Sequence, residues 1–161
     1  MPDFTIRSIR KTDNVAVAEV IRSVMTSFGA VGEGYSIADP EVDQMYEAYQ
    51  GSQSAMYVVE KDGKIMGCGG FAPLTGGDPD TCELRKMYFL SEVRGKGLGR
   101  KMLELSLAGA KEAGFKKCYL ETLQHMKAAR RLYEKAGFLP LTGSMGKTGH
   151  GRCDRFYLLK L

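Results

Sequence analysis

The stretch Arg94-Gly95-Lys96-Gly97-Leu98-Gly99 joins a strand-like run, residues 82–90, to a helix-like run, residues 100–113. A chain that turns through glycines into a helix leaves several backbone N–H groups unpaired at the positive end of the helix dipole, with no Cβ atoms in the way. Such a turn is suited to hold phosphate. The stretch therefore predicts a site for a phosphorylated ligand.

The glycine spacing excludes two common phosphate-binding motifs. A Walker A loop needs G-x-x-x-x-G-K-S/T, and the Gly-Lys-Thr at 146–148 has Leu141 where the first glycine belongs. A dinucleotide fingerprint needs G-x-G-x-x-G, and here Arg100 stands where the third glycine belongs. The pattern Q/R-x-x-G-x-G/A remains, with Arg94, Gly97 and Gly99 in place. Because this pattern is short, a glycine-rich turn with solvated basic side chains is its structural alternative.

Length and composition are those of a soluble globular protein. The chain has 161 residues, of which 43% are hydrophobic and 26% are charged. No run approaches the roughly 18 apolar residues of a membrane span, and the first residues lack a basic and then apolar signal segment. We expect one domain over residues 1–161, a cytoplasmic location and no membrane partner.

Cysteine and histidine usage gives no reason to expect a metal. The two histidines, His125 and His150, make no ligand pair, and the sequence of residues 150–153, His-Gly-Arg-Cys, is too little for a site. The cysteines are far apart in sequence and form no C-x-x-C motif, so we expect reduced and mostly buried thiols at Cys68, Cys82, Cys118 and Cys153.

Charge is distributed unevenly along the chain. Residues 24–59 contain no Lys or Arg, whereas residues 85–101 contain six basic residues countered only by Glu92. A nucleic-acid binder would use such a basic stretch on phosphates. The net charge of +4 is modest, aromatic residues are few in the stretch, and no nucleic-acid motif is present. We therefore expect no nucleic-acid partner.

Hydrophobic periodicity predicts strand, two helices, three strands, helix, strand, helix and strands, hence one mixed α/β (α+β) sheet flanked by helices. The first helix is capped by Asp13, and a second, short helix follows the cap and proline of Asp39-Pro40. The other segments are strand 4–9, a hairpin of 56–60 and 65–71 around the turn 61–64, strand 82–90, a helix ending near Gly114, strand 116–122, helix 126–136 and strand 155–161.

Three segments in this order resemble the GCN5-related N-acetyltransferases (GNAT). Leu84-Arg85-Lys86-Met87-Tyr88-Phe89, followed five residues later by the glycine stretch, looks like the family's fourth strand and pyrophosphate loop. Tyr119-Leu120-Glu121-Thr122 and Ala129-Arg130-Arg131-Leu132-Tyr133-Glu134-Lys135-Ala136-Gly137-Phe138 look like its fifth strand and A-x-x-L-Y-x-x-x-G-F helix. The resemblance covers roughly residues 55–161. It implies a single GNAT-like domain with a mixed, mostly antiparallel central sheet, about four helices, and acetyl-CoA as cosubstrate without a metal.

The resemblance also implies how the cosubstrate is held. The backbone of Met87, Tyr88 and Phe89 would pair with the pantetheine arm like an added strand. Arg94 and Lys96 would add charge-assisted contacts, unless their side chains are only a solvated helix start. The pyrophosphate would be bound by the N–H groups of Gly95, Lys96, Gly97, Leu98, Gly99 and Arg100.

Acetyl transfer to an amine needs a base, because an amine with a pKa near 10.4 is mostly protonated at pH 7. Glu83 stands where histone-type members carry their catalytic glutamate, and it shares strand parity with Met87 and Phe89, so all three face one side unless a bulge intervenes. Glu121 matches the base position of the ribosomal-protein N-terminal acetyltransferases. A water chain, or an acceptor that arrives deprotonated, is the remaining alternative.

Tyr133 matches the family's general acid, which protonates the departing CoA thiolate. Its other interpretation is a core aromatic on an amphipathic helix. Seven residues earlier the family often has an asparagine that contacts cofactor or substrate, and here that residue is Met126. A thioether does not donate, so this contact is lost or is supplied by Gln124 or His125.

The acceptor is expected to be an amine, either a small molecule or a peptide. In this family the segment between the first two helices lines the acceptor side, and here it contains Glu33, Asp39 and Asp43 near Tyr35. These residues favour a small cationic amine, an amino acid or a basic peptide end. A non-catalytic acyl-CoA-binding module is the alternative function, although it would need no base or acid. Homodimers are frequent in the family, but the sequence contains no interface signature.

Overall fold

A computed structural model describes residues 4–161 and contains one seven-stranded sheet in the order β1-β2-β3-β4-β5-β7-β6. Within these residues, β4 and β5 are the one parallel pair, and the other neighbours are antiparallel. The strands are β1 (Thr5–Ser8), β2 (Ala55–Lys61), β3 (Lys64–Pro73), β4 (Thr81–Phe89), β5 (Lys117–Thr122), β6 (Leu139–Leu141) and β7 (Arg155–Lys160).

In the described part of the chain, four α-helices cover the two faces of the sheet, which confirms the predicted mixed, mostly antiparallel architecture. They are α1 (Asn14–Ser27), α2 (Met45–Ala48), α3 (Leu98–Glu112) and α4 (Lys127–Lys135). Apolar side chains of α1 and α2 pack on one face, around Val17, Ile21 and Met45. The side chains of α3 pack on the other face, where Met102 and Leu103 are buried. No helix among residues 4–161 combines the length and the apolar character that crossing a bilayer requires.

The predicted order of elements is confirmed, with local differences. The turn of the β2–β3 hairpin has positive φ at Asp62 and Gly63, as a two-residue type I′ turn requires. The segment after Asp39 begins as a 3₁₀ turn, Pro40–Gln44, and only Met45–Ala48 is α-helical. Strand β6, with three residues, was not predicted separately. Residues 1–3, on which the expectation about the N-terminal sequence partly depends, lie outside the described residues.

The sheet splits between β4 and β5. The two strands pair only from Thr81 to Glu83 on β4, with Lys117 to Tyr119 on β5. Beyond Glu83, β4 pairs with β3 alone and β5 pairs with β7 alone. The edge of β4 toward Phe89 therefore presents backbone N–H and C=O groups to an open wedge.

A β-bulge reverses the side-chain alternation of β4 inside this wedge. Gly70 of β3 pairs with Arg85, but Cys68 pairs with Tyr88, so β4 carries one extra residue between these pairs. Lys86 lies in the bulge with φ of 56°. The bulge is the exception that the parity prediction for Glu83 named, so the three residues do not share a face: Glu83 shares a face with Tyr88, while Met87 and Phe89 pack on the α3 side.

Candidate active site

A groove of about 340 Å³ follows the unpaired edge of β4. Its walls come from the end of β4, from the glycine stretch and from α4, which places Met87, Tyr88 and Phe89 opposite Ala129 and Leu132. The lining is mainly apolar, while the β4 backbone on that side lacks a strand partner. The groove thus offers main-chain hydrogen bonds along one wall and apolar contact along the other.

The glycine stretch closes one end of the groove at the start of α3. Gly95 and Gly97 have φ of 75° and 76°, a left-handed conformation that glycine adopts without strain. Gly97 is the N-cap of α3, and the first helical bond runs from the Lys101 N–H to its carbonyl. Among the described residues, the N–H groups of 95–100 have no hydrogen-bond partner. These free donors at a helix N-terminus form a geometry suited to an anion.

The two basic side chains of the stretch have different surroundings. The Arg94 Nε–H donates to the carbonyl oxygen of Phe89 at 3.0 Å, and its guanidinium lies 5.5 Å from the centre of the Phe28 ring. Arg94 therefore forms part of the groove wall. Lys96 is exposed and has no ion-pair partner among the described residues.

The groove meets a smaller central cavity of about 50 Å³ between β4 and β5. Met87, Tyr88, Met126 and Tyr133 line both spaces. The far side of the central cavity contains the ionisable side chains of β4 and β5. The predicted cosubstrate groove therefore adjoins the cavity that both candidate bases line.

Glu83 is a buried carboxylate at the point where β4 and β5 separate, with only 3% of its surface exposed. The Arg85 Nε–H donates to its Oε1 at 2.7 Å, and Oε2 has no partner among the described residues. Burial raises the pKa of Glu83 above its ordinary value, although the charge of Arg85 acts in the opposite direction. A carboxylate with a raised pKa and one free oxygen is suited to accept a proton.

Glu121 lies beside Glu83 but is saturated with hydrogen bonds. Thr148 Oγ1 donates to its Oε1 at 2.6 Å, and the Tyr119 hydroxyl donates to its Oε2 at 2.6 Å. The His150 Nδ1 lies 3.5 Å from Oε1. Burial alone would raise the pKa of Glu121, but the hydrogen bonds from His150, Thr148 and Tyr119 lower it below its ordinary value.

Tyr133 projects from α4 into the junction between groove and central cavity. Its ring packs against Phe138 and Tyr157, with centroid distances of 5.9 and 6.5 Å, so it belongs to the core as well as to the cavity wall. Burial raises the pKa of its hydroxyl above the ordinary value. The phenol therefore keeps its proton at neutral pH.

Two cavity residues were not among the sequence candidates. His150, in the loop between β6 and β7, lies beside Glu83 and Glu121, with ligand-type atoms of all three within 4.8 Å of one another. Lys86 is buried in the bulge and donates to Asp39 Oδ2 at 2.5 Å. No motif or spacing in the sequence places His150 or Lys86 at this cavity, because only the order of the strands in the sheet brings their segments together. Both ring nitrogens of His150 face carboxylates, and Arg85 is paired with Glu83. Glu83, Glu121 and His150 are therefore part of a network of ion pairs.

The predicted acceptor residues are only partly at the cavity. Tyr35 lines it, with Arg152 stacked 4.9 Å from its ring centre. Asp39 is paired with Lys86 and His150, and Asp43 is paired with Arg22 on the surface. Glu33 is exposed and lines none of the cavities described. Much of the negative charge in this segment is therefore balanced within the chain.

Comparison with known proteins identifies the family to which this chain belongs. The model of the acetyltransferase (GNAT) family matches residues 18–138, and the chain belongs to that family. It is 45% identical to the uncharacterized N-acetyltransferase YjgM of Escherichia coli (strain K12) over 92% of this chain and 90% of that protein.

Solved structures of the same class share the fold. A GNAT-family acetyltransferase from Staphylococcus aureus Mu50 superposes with a TM-score of 0.85 at 19% identity, covering 98% of each chain. The structure of Salmonella typhimurium yncA with its cofactor acetyl-CoA has a TM-score of 0.74 at 26% identity, covering 98% of this chain and 94% of that one.

Proposed function

We propose that this protein transfers the acetyl group of acetyl-CoA directly to a primary amine, with Glu83 as general base and Tyr133 as general acid. The observation that supports this most is the junction at Tyr133. There the groove along the β4 edge and the cavity that contains Glu83 share the wall residues Met87, Tyr88, Met126 and Tyr133. A thioester in the groove and an amine in the cavity would meet at this point.

Binding would use the main chain of β4 and the free N–H groups of the glycine stretch. The pantetheine amides would pair with the unpaired edge at Met87 to Phe89, and the pyrophosphate would accept from residues 95–100. Arg94 would contribute a groove wall, since its guanidinium already binds the Phe89 carbonyl. Lys96 and Arg100 would contribute charge near the phosphates.

Glu83 would take a proton from the acceptor ammonium, directly or through a water, and the neutral nitrogen would attack the thioester carbonyl. Of the two candidates, Glu83 is favoured because its Oε2 is free and its pKa is raised. Glu121 would be a weaker base, since both its oxygens already accept hydrogen bonds. When the tetrahedral intermediate collapses, the C–S bond breaks and Tyr133 gives its proton to the leaving thiolate, while the nitrogen loses its second proton, which restores the Tyr133 hydroxyl directly or through water.

The acceptor would be a small cationic amine, an amino acid or a peptide end. The buried carboxylate of Glu83 favours an ammonium group at the inner end of the path. The outer part is less acidic than the sequence suggests, because Asp39 and Asp43 are neutralised by neighbours.

The experiment is a screen of amines, amino acids, short peptides and amine-free carboxylates for release of CoA thiol from acetyl-CoA. We expect transfer to at least one amine and none to the carboxylate controls. Glu83→Gln should lower kcat about 10²–10⁴-fold, while acetyl-CoA affinity measured by calorimetry stays unchanged. Folded protein that binds acetyl-CoA but acetylates none of the amines would contradict the proposal.

A further inference from the structure

His150 is held between two carboxylates from different parts of the chain. Its Nε2 lies 2.9 Å from both oxygens of Asp39, and its Nδ1 lies 3.5 Å from Glu121 Oε1. Only 10% of the side chain is exposed. An imidazole whose two nitrogens both face carboxylates is stabilised in its doubly protonated, cationic form.

The groups around this imidazole form a row of alternating charge. Lys86, from the bulge of β4, donates to Asp39 at 2.5 Å and lies 3.6 Å from Glu41. Asp39 contacts His150, and His150 contacts Glu121 on β5. Glu83, from β4, lies near the same imidazole. The row thus connects the segment before Pro40 to β4, β5 and the β6–β7 loop.

The β6–β7 loop forms the wall of a third cavity of about 340 Å³. Glu121, His150 and Cys153 line both this outer cavity and the central one. Thr148 and His150 are the loop residues that contact Glu121 by side chain. The Glu121 carboxylate and its bridge to Asp39 are therefore among the contacts that hold the loop, together with the hydrogen bonds from Met145 N–H to the Tyr119 hydroxyl and from Lys147 N–H to the Thr75 carbonyl.

We propose that His150 is a positioning residue, a cationic bridge between Asp39 and Glu121 that fixes the β6–β7 loop as the acceptor-side wall. The assignment of this wall to the acceptor rests on the proposed function, because the groove on the other side of Tyr133 is assigned to acetyl-CoA. Glu121 then serves to anchor the loop, which leaves Glu83 as the carboxylate with a free oxygen. Loss of the bridge would leave two partly buried carboxylates without their shared partner and would release the loop.

The first test is a titration of the histidine side chains by NMR, which needs no acceptor. The chain has two histidines, so His125→Asn leaves the His150 signal alone and assigns it. We expect a midpoint for His150 of about 9. Burial and the charge of Lys86 lower the pKa of His150. The hydrogen bonds to Asp39 and Glu121 raise the pKa by more than these two effects lower it. Asp39→Asn should move the midpoint downward, and a His150 midpoint at or below the ordinary value near 6.5 would overturn the proposal.

The second test follows the loop by hydrogen exchange in His150→Gln. Amides of residues 144–151 should exchange about tenfold faster or more, because the loop loses its His150 contacts with Asp39 and Glu121. Amides of residues 95–103 should be unchanged. His125→Gln is the matched control, since His125 contacts the Phe28 carbonyl and not this loop. Unchanged exchange of the loop in folded His150→Gln would contradict the proposal.

Kinetics separate a positioning role from general loss of structure. With the best amine from the screen, His150→Gln should raise the acceptor KM about tenfold, leave the acetyl-CoA KM unchanged and change kcat about twofold or less. A kcat loss as large as that of Glu83→Gln would instead assign His150 to the chemical step and overturn the positioning role. The titration and the exchange experiment stand even if no acceptor is found, so failure of the proposed function remains distinguishable.

Discussion

Glu83 and Glu121 show how one residue type meets two different environments within a few ångströms. Glu83 is buried with one oxygen free, and burial raises its pKa. Glu121 is also buried from water, but three donors stabilise its charge and lower its pKa. Neighbouring carboxylates whose pKa values diverge in this way differ in how readily they accept a proton. The environment, and not the position in a motif, distinguishes the two.

The pH dependence of transfer tests the role of Glu83. As a base it acts when deprotonated, so kcat/KM should rise with pH through a midpoint above the ordinary glutamate value of about 4.3. Glu83→Gln should remove this limb of the profile, while a limb from the acceptor amine itself persists. The measurement is initial rate of CoA release between pH 4.5 and 9. An identical acidic limb in Glu83→Gln would show that another group is titrating.

Tyr133→Phe tests the general acid. Removal of the hydroxyl should lower kcat roughly 10²-fold or more and leave acetyl-CoA affinity unchanged, because the ring still fills its place against Phe138 and Tyr157. The melting temperature should change little, since the Tyr133 hydroxyl has no hydrogen-bond partner among the described residues. Leucine at the same position is the contrasting variant and should destabilise the core. Unchanged turnover in Tyr133→Phe would remove this residue as the acid.

At the scale of an element, Gly97 tests the turn into α3, because both the start of the helix and the proposed binding of the pyrophosphate depend on its backbone conformation. Gly97 has a positive φ and caps α3 without a side-chain bond. Gly97→Ala should weaken acetyl-CoA binding about tenfold and destabilise the fold by about 1 kcal/mol. Gly114→Ala is the matched control, because Gly114 also has a positive φ with open space around it but follows the other end of α3. Calorimetry should show that this control loses stability and keeps its affinity.

The bulge in β4 contains a buried cation, Lys86, whose ion pairs connect the bulge to the segment around Pro40. Lys86 adopts a positive φ although it is not glycine, and its ammonium is paired with Asp39 and Glu41. Lys86→Met should destabilise the protein by about 3 kcal/mol in urea unfolding, because two carboxylates lose a buried partner. Lys64→Met, which removes an exposed pair with Glu92, should change stability by less than about 0.5 kcal/mol. Equal effects of the two substitutions would contradict this account of the bulge.

Sequence patterns predict the local features of this molecule well, and the reason is physical. The glycine stretch, the hairpin turn and the longer helices depend on neighbours within a few residues, and the structure contains them where periodicity predicts. The predicted caps Asp13 and Asp39 stand before their helical segments, but neither side chain makes a capping hydrogen bond. The sequence did not predict the bulge at Lys86. It predicted only that Glu83 shares a face with Met87 and Phe89 unless a bulge intervenes. The bulge depends on an ion pair with Asp39, which is 47 residues away in sequence. His150 is 111 residues from Asp39, and no spacing rule joins them.

At the scale of the whole molecule, the split sheet determines where the cavities lie. Because β4 and β5 separate after Glu83, three adjoining cavities extend from the glycine stretch, past Tyr133, to the β6–β7 loop. The two candidate bases lie at the apex of the split, where parallel pairing ends. The same opening places buried charges in the interior, and these are neutralised by contacts between distant segments. Stability and site geometry therefore depend on the same ion pairs.

This dependence predicts how global stability changes with pH. The pKa of His150 is raised to about 9 in the folded protein, against about 6.5 when unfolded. Between these values the folded state binds more protons than the unfolded state, so stability falls as pH rises. The contribution is complete below pH 6.5 and lost above pH 9. Allowing for screening, it amounts to about 1–2 kcal/mol, or roughly 4 °C in Tm.

The measurement is the melting temperature of wild type and His150→Gln at intervals from pH 6 to 10. Other groups titrate in this range, so the informative quantity is the difference between the two proteins. It should be largest near pH 6 and shrink toward pH 9, because only the wild type carries the cationic bridge at low pH. A difference that stays constant over the range would mean that His150 stabilises the fold by packing alone. In that case the charge on the imidazole would not hold Asp39 and Glu121 together.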